Sequence, residues 1–240
     1  MKISVVVPVF AGENTLPELL DRIKYSLINF DSFEVLFIHD GGSDLSWETI
    51  CELKSLNDSL IEAIKLPGNF GQHYSTMFGI KHAKGDLIVT MDEDLQHAPE
   101  DISVMITNLE LNNSDLVYGS YKERRHSIGR NIMSKILNRL LRCYIPGLHK
   151  DFSSFRLMKA EVAEKISSVQ EANYFIDGAL SKKTDKITSV KVSHSISKVG
   201  KSSYSFKKLL WHTFGIFIAY SIFFKKEDCE ISVFHPYSTL

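Results

Sequence analysis

Short apolar segments alternate with amphipathic segments along the N-terminal half of the chain, and this alternation constrains the fold more than any other feature. The apolar segments, which suit buried strands, are residues 3–9, 33–38, 61–66 and 87–91. Segments with apolar side chains at helical spacing begin between them, near Leu16, Ser46 and Gln72. The order β-α-β-α-β-α-β predicts an α/β fold with a mostly parallel, doubly wound sheet and right-handed crossovers. Beyond it we expect a helix at 99–111, a strand at 115–119 and a basic helix containing Arg130, Lys135, Arg139 and Arg142.

Polar residues follow each predicted strand directly. They occupy residues 11–15, 40–44, 68–71 and 92–94. The carboxyl ends of parallel strands meet at one edge of a sheet, and ligands of doubly wound folds bind at that edge. We therefore expect the functional site at the ends of these strands.

The segment after the fourth predicted strand has the composition of a metal site. Asp92 and Asp94 are two residues apart, and Gln96 adds an oxygen donor two residues further on. Such ligands suit a hard cation, Mg2+ or Mn2+, which keeps positions open for phosphate oxygens. Acidic residues also favour the first turn of a helix, and this is the structural alternative. The position at a strand end, beside other polar strand ends, favours the metal.

The other strand ends indicate a ligand with a nucleotide base. Asp40 can accept a hydrogen bond from a base N–H, although Asp and Gly also build turns. Glu13 is expected to face the same crevice from the loop after the first strand. The glycines on either side of Phe70 either allow a ligand to approach the backbone or make a tight turn.

The charge is divided unevenly along the chain. Residues 1–115 have 7 basic and 19 acidic side chains, a net charge of −12, while residues 116–240 have 21 and 10, a net charge of +11. This asymmetry indicates a bipartite surface, with a cation-binding half and an anion-binding half. Nucleic-acid binding is not expected, because the basic half contains no recognised module.

The composition excludes several other classes of protein. Forty-four per cent hydrophobic and 24% charged residues exclude a disordered chain. The 3 cysteines form no CxxC pair, which argues against a zinc or disulfide scaffold and fits a reducing cytoplasm.

Residues 209–224 form an apolar segment with two lysines at each end. A membrane-spanning helix needs about 20 apolar residues, so we predict an amphipathic helix that lies in the membrane interface. Packing against the core or in the interface of a homo-oligomer is the alternative, and a true span is the least favoured.

Five segments, in order from residue 3 to about residue 215, resemble motifs of the family 2 glycosyltransferases of GT-A fold. Within that family they are most similar to the polyprenyl-phosphate branch that includes dolichol-phosphate mannose synthase. The segments are VVVPVFAGENTL, HDGGSD, NFGQHYSTMFGIKHAKGDLIVTMDEDLQHAPE, DFSSFRLM and, more weakly, VGKSSYSFKKLL.

The resemblance implies a domain organisation and a set of site residues. Residues 1–205 would form a GT-A (Rossmann-like) domain with a donor- and metal-binding half (1–115) and an acceptor half (116–205), followed by an amphipathic tail (206–240). Asp92, Asp94 and Gln96 would hold the metal. The catalytic residues would be Asp92, Asp94, Asp151 and Arg156, and the guanidinium of Arg156 would bind phosphate oxygens. The nucleotide-sugar-binding residues would be Pro8, Phe10, Glu13, Asp40, Asn69, Gly71, Asp92, Glu93, Asp94, Lys122, Arg125 and Lys198.

The sequence departs from the family motifs at several positions. His39 replaces the first acidic residue of DDGS, but Asp40 is retained, so base recognition should survive. Ser154 replaces the second acidic residue of DxxDFR, which puts the acceptor in doubt. Residues 11–12 are Ala-Gly where relatives have Asn-Glu, and Lys198 replaces an arginine, which keeps the charge but loses the planar fork.

The expected reaction is metal-dependent transfer of a sugar, with inversion, from a nucleoside-diphosphate sugar to a polyprenyl or dolichyl phosphate. The enzyme would act in the cytoplasm, peripherally on a membrane that residues 206–226 contact. A phosphate acceptor is already anionic and needs no strong base. A hydroxyl acceptor on a cell-surface glycan or lipid-linked oligosaccharide would need one, with Asp151 as the first candidate and Glu93 as the second.

Two further alternatives belong to other classes of protein. A nucleotidyltransferase usually has a glycine-rich basic loop after the first strand, and residues 11–15 lack it. A non-catalytic nucleotide-sugar-binding protein remains open, because function follows from the site and not from the fold.

Overall fold

The computed structural model describes residues 1–121, 138–167 and 175–193. One sheet runs through this part of the chain. Its strands are β1 (Lys2–Val9), β2 (Ser32–His39), β3 (Ile61–Lys65), β4 (Leu87–Thr90), β5 (Leu116–Tyr121), β6 (Arg156–Lys159) and β7 (Ile187–Val192). They lie side by side in the order β3-β2-β1-β4-β6-β5-β7.

Helices connect and cover the strands. They are α1 (Leu16–Ser26), α2 (Ser46–Leu56), α3 (Gln72–His82), α4 (Ile102–Leu111), α5 (Ala160–Ser167) and α6 (Ile176–Lys183). A short 3-10 helix (Pro99–Asp101) precedes α4. A further helical stretch at 138–144 contains Arg139 and Arg142, the described part of the predicted basic helix.

The N-terminal half forms the predicted parallel sheet. β1 pairs in parallel with β2 and β4, and β2 pairs in parallel with β3. Every residue of β1 from Ile3 to Val9 is buried, as expected for a central strand covered on both faces. Leu16, Leu19, Leu20 and Ile23 form the buried side of α1. The predicted order of strands and helices is therefore confirmed here, with strand ends that differ by one residue or not at all.

One strand interrupts the parallel arrangement. β6 lies between β4 and β5 and is antiparallel to both. This strand is not predicted by the sequence pattern, because four residues with the sequence RLMK show no clear period. β5 runs to Tyr121 rather than ending at residue 119, because it pairs with β7 as far as Val192. The sheet is therefore mixed but mostly parallel.

The loops after β1 and β2 are held together at the edge of the sheet where the site was expected. The backbone N–H of Asp40 donates to the carbonyl of Val9 at 2.7 Å. Gly42 lies so close to the carbonyl oxygen of Phe10 that a Cβ atom there would collide with it. Glycine is therefore required at this position by close backbone approach, not by turn geometry alone.

None of the helices in the described ranges is both long and apolar enough to cross a bilayer. The predicted interfacial helix at 209–224 lies outside those ranges. So do Lys122, Arg125 and Lys198, which were predicted to bind the donor.

His39, the residue that departs from the DDGS motif, is 1% exposed, and neither ring nitrogen has a hydrogen-bond partner. It lies against Trp47, with ring centroids 5.8 Å apart. Burial, followed by the charge of Lys65, lowers the pKa of the imidazole. The unfolded chain therefore binds a proton at His39 more readily than the folded chain does.

We expect a pH-dependent loss of stability from His39. The cost is absent well above the unfolded pKa of about 6.5 and grows as the pH falls below it. The thermal midpoint of the wild-type chain should therefore fall further between pH 7.5 and pH 5.5 than that of His39→Phe. A His39→Phe profile parallel to the wild type would refute this assignment.

Candidate functional site

A cavity of about 360 Å³ lies at the carboxyl ends of β1, β2 and β4. It is lined by Pro8, Val9, Phe10, Asp40, Asn69, Gly71, Gln72, Asp92, Glu93 and Asp94. Four of these side chains are carboxylates, and none of the ten lining residues is basic. The described part of the lining therefore favours a cation, or an anion that a cation accompanies.

Asp92 follows β4 and is held by two neutral side chains. Its Oδ1 accepts a hydrogen bond from Gln72 Nε2 at 2.5 Å, and its Oδ2 accepts one from Ser154 Oγ at 2.8 Å. Gln72 is the first residue of α3, and Ser154 lies just before β6. Each oxygen has lone pairs left over, so the carboxylate is fixed in place without being neutralised.

The Asp94 carboxylate is held by a hydrogen bond from the backbone that follows it. Its Oδ1 accepts from the N–H of Gln96 at 3.0 Å. Burial raises the pKa of Asp94, and the nearby charge of Asp92 raises it further. The next residue, Leu95, is buried and has a φ of 61°, a region that leucine rarely adopts. Such strain costs about 1–3 kcal/mol and occurs mainly at functional sites.

Glu93 contacts the loop after β1. Its Oε1 accepts from the N–H of Ala11 at 3.0 Å, and its Oε2 from the N–H of Phe10 at 3.1 Å. Burial raises the pKa of Glu93 to about 7, although these backbone donors lower it. Gly12 leaves room for this carboxylate, since a Cβ there would collide with Glu93. Glu93 therefore organises the loop, and its predicted role as the second candidate for a base stays a prediction.

Asp40 holds the loop after β3. Its Oδ1 and Oδ2 each accept a backbone hydrogen bond at 2.8 Å, from the N–H of Phe70 and of Gly71 respectively. Gly71 has a φ of 88°, which glycine adopts readily. The carboxylate also lines the cavity. Recognition of a base by Asp40 stays a prediction, and it would use lone pairs that these bonds leave free.

Other residues assigned to the site lie away from the cavity lining. The Glu13 carboxylate accepts a hydrogen bond from the N–H of Leu45 at 2.9 Å, so it lies against the loop after β2. Asp151 accepts from Ser189 Oγ at 2.8 Å. Gln96 presents its backbone N–H to Asp94 but is not a lining residue. Their predicted roles in binding, catalysis and metal coordination remain predictions.

Arg156 is buried and contacts protein groups. It is 3% exposed, and its Nε and Nη2 donate to the two oxygens of Asp177 at 2.7 and 2.8 Å. Its Nη1 donates to Thr90 Oγ1 at 3.2 Å. Asp177 is equally buried and also accepts from Tyr118. A contact between Arg156 and phosphate stays a prediction, whereas the ion pair with Asp177 is what the structure describes.

Gln72, His97 and Ser154 were not assigned to the site from the sequence. The sequence does contain an indication for Gln72, since it is the first polar residue after a strand-end loop. No sequence pattern indicates a role for His97 in the site, because its contact with the backbone of Asp92 depends on the turn at Leu95. Ser154 was noticed only as a departure from the family motif, although its hydroxyl touches Asp92.

The oxygen donors suit a hard divalent cation. In the described ranges no three His, Cys, Asp or Glu side chains converge to form a complete metal site. Asp92 and Asp94 nevertheless line one cavity, and none of the described residues that line it is basic. Mg2+ is commonly held by one or two carboxylates together with substrate phosphates, and this donor set fits that pattern.

A curated relative is similar over most of the chain. It is the undecaprenyl-phosphate 4-deoxy-4-formamido-L-arabinose transferase of Klebsiella pneumoniae, which is 32% identical over 211 residues. The match covers 87% of this chain and 64% of the relative, so the chain spans just under two thirds of that protein's length.

Solved structures have the same fold. Mannosyl-3-phosphoglycerate synthase from Rubrobacter xylanophilus superposes with a TM-score of 0.67 at 12% identity, over 98% of this chain and 78% of that one. Glucosyl-3-phosphoglycerate synthase from Mycobacterium tuberculosis, in complex with Mg2+ and uridine diphosphate, has a TM-score of 0.64 at 17% identity, over 91% and 78%. The predicted GT-A fold is therefore confirmed.

The sequence model of glycosyl transferase family 2 matches residues 4–167, which include β1 from Ser4 onward, all of β2 to β6 and every residue that lines the cavity. This chain belongs to glycosyl transferase family 2.

Proposed function

We propose that this chain transfers a sugar, with inversion, from a nucleoside-diphosphate sugar to a polyprenyl phosphate. The observation that supports this most directly is the cavity at the strand ends, where Asp40, Asp92, Glu93 and Asp94 meet and no basic residue of the described ranges joins the lining. A diphosphate would be repelled by these carboxylates unless a divalent cation accompanied it. Such a cavity therefore suits a metal-bound nucleotide better than a free anion.

Each residue has a distinct role in this proposal. Asp92 and Asp94 would hold Mg2+ or Mn2+, with Gln96 as a further donor. When bound, the cation neutralises the charge that develops on the diphosphate leaving group. Asp40 would bind the base, and Glu93 would keep the β1 loop in position.

The contacts of two residues favour a phosphate acceptor over a hydroxyl. Ser154, which stands in place of an acid, is uncharged and donates a hydrogen bond to Asp92. Asp151, the first candidate for a base, is bound to Ser189 and does not line the cavity. A phosphate oxygen is already a nucleophile and requires no base. The name of the Klebsiella relative, an undecaprenyl-phosphate transferase, points to the same acceptor class.

We further propose that residues 1–205 form the catalytic domain and that residues 206–226 contact a membrane surface where a lipid acceptor would be available.

Ligand screening followed by product analysis tests the reaction. One of UDP-, GDP- or dTDP-linked sugars should raise the thermal midpoint of the full chain in the presence of Mn2+ but not in EDTA, since a ligand of the folded state stabilises it. That donor should then glycosylate undecaprenyl phosphate, detected by mass spectrometry. Product formed only with a sugar-terminated lipid would support the hydroxyl acceptor instead.

A further inference from the structure

His97 is a buried histidine that contacts Asp92 at two places. It is 3% exposed and lies parallel to the ring of Phe155, with centroids 5.0 Å apart and planes 11° apart. Its Nδ1 lies 2.9 Å from the backbone nitrogen of Asp92 and accepts its N–H. Its Nε2 lies 3.4 Å from Ser154 Oγ and 3.6 Å from Asp92 Oδ2.

These contacts fix the direction of each hydrogen bond. Because Nδ1 accepts from a backbone N–H, it has no proton, and the proton of the neutral ring is on Nε2. Nε2–H therefore points toward Ser154 Oγ and Asp92 Oδ2. The serine hydroxyl donates to Asp92 Oδ2 at 2.8 Å, which leaves its lone pairs to accept from the ring.

Ser154 is itself held firmly. Its carbonyl oxygen accepts from Thr90 Oγ1 at 2.7 Å and from Arg156 Nη1 at 3.3 Å. The serine hydroxyl is therefore anchored to the end of β4 and to the buried arginine of β6.

We propose that His97 and Ser154 are positioning residues, which hold the Asp92 carboxylate in the one orientation that binds the divalent cation. The inference rests on the proposed function, since it assigns Asp92 to the metal. Residues behind the ligands of a metal orient those ligands, and their loss commonly costs 10–100-fold in metal affinity.

Mn2+ titration of the full chain, followed by electron paramagnetic resonance in the presence of UDP or GDP, tests the proposal. Ser154→Ala should raise the Mn2+ concentration at half-saturation about 10-fold or more. Ser154→Thr, which keeps the hydroxyl, should stay near the wild type. His97→Phe, which keeps a ring between its neighbours but removes both nitrogens, should weaken Mn2+ binding at least as much as Ser154→Ala.

Ser153→Ala is the matched control, because Ser153 Oγ donates to the carbonyls of Gly119 and Phe155 and not to Asp92. Equal half-saturation in Ser154→Ala and Ser153→Ala would overturn the proposal.

A measurement without metal separates this inference from the proposed function. The thermal midpoints of Ser154→Ala, Asp92→Ala and the double variant form a cycle that reports their direct coupling. Non-additive midpoints support the hydrogen bond, and additive midpoints overturn it. If the wild-type chain binds no Mn2+, the proposed function loses its metal and the metal part of this inference is overturned with it, while the cycle still decides whether Ser154 holds the Asp92 carboxylate.

Discussion

Replacing Asp94 with alanine should lower sugar transfer about a thousand-fold or more, and excess Mn2+ should not restore it. The variant loses a carboxylate that the proposed function assigns to the metal. A thousand-fold effect corresponds to roughly 4 kcal/mol of transition-state stabilisation, which is within the range of metal catalysis. Initial rates at saturating donor and at several Mn2+ concentrations measure it. Wild-type rates in the variant would rule out the metal mechanism.

The same substitution should not destabilise the fold. Burial raises the pKa of Asp94, so its ionised form is less favourable in the folded chain than in the unfolded one. This cost is present above the unfolded pKa of about 3.9, and removing the charge therefore relieves it at neutral pH. The thermal midpoint of Asp94→Ala should equal or exceed that of the wild type. Asp58→Ala, at an exposed position between α2 and β3, controls for the loss of one acidic residue and should leave transfer unchanged.

The strand-end site could be predicted from the sequence because its determinants are local. Asp40 and Asp92 each follow an apolar strand within one or two residues, and a parallel sheet brings such ends together by topology alone. The cavity confirms that Asp40, Asp92 and Asp94 line one space. No long-range contact had to be guessed for this part of the site.

The acceptor half was less predictable because its determinants are distant in sequence. β6 is an antiparallel strand of four residues, and its place between β4 and β5 depends on pairing with Leu87 through Thr90, about seventy positions earlier. Arg156 shows the same limit, since nothing local indicates that Asp177 would bury its charge. A motif indicates that the arginine is important for the family, but only the three-dimensional structure shows which groups its side chain contacts.

Breaking the Arg156–Asp177 pair should cause the largest loss of stability of any substitution considered. The pair joins β6 to α6, and both side chains are almost wholly buried. Asp177→Leu leaves a buried guanidinium without its counter-ion, which costs about 3 kcal/mol or more. For a chain of this size that lowers the thermal midpoint by roughly 6–12 °C. Arg156→Met should cost a similar amount, because it leaves the carboxylate of Asp177 buried instead.

The double variant Arg156→Met/Asp177→Leu separates pairing from packing. It removes both charges, so its thermal midpoint should lie well above the value obtained by adding the two single losses. Arg22→Met is the matched control: Arg22 pairs with Glu100 at 2.7 Å, but both side chains are partly exposed. Such a pair contributes about 1 kcal/mol or less. If Asp177→Leu lowered the thermal midpoint no more than Arg22→Met does, the buried pair would not hold β6 to α6. The predicted contact of Arg156 with phosphate would then be the better explanation for an arginine at this position.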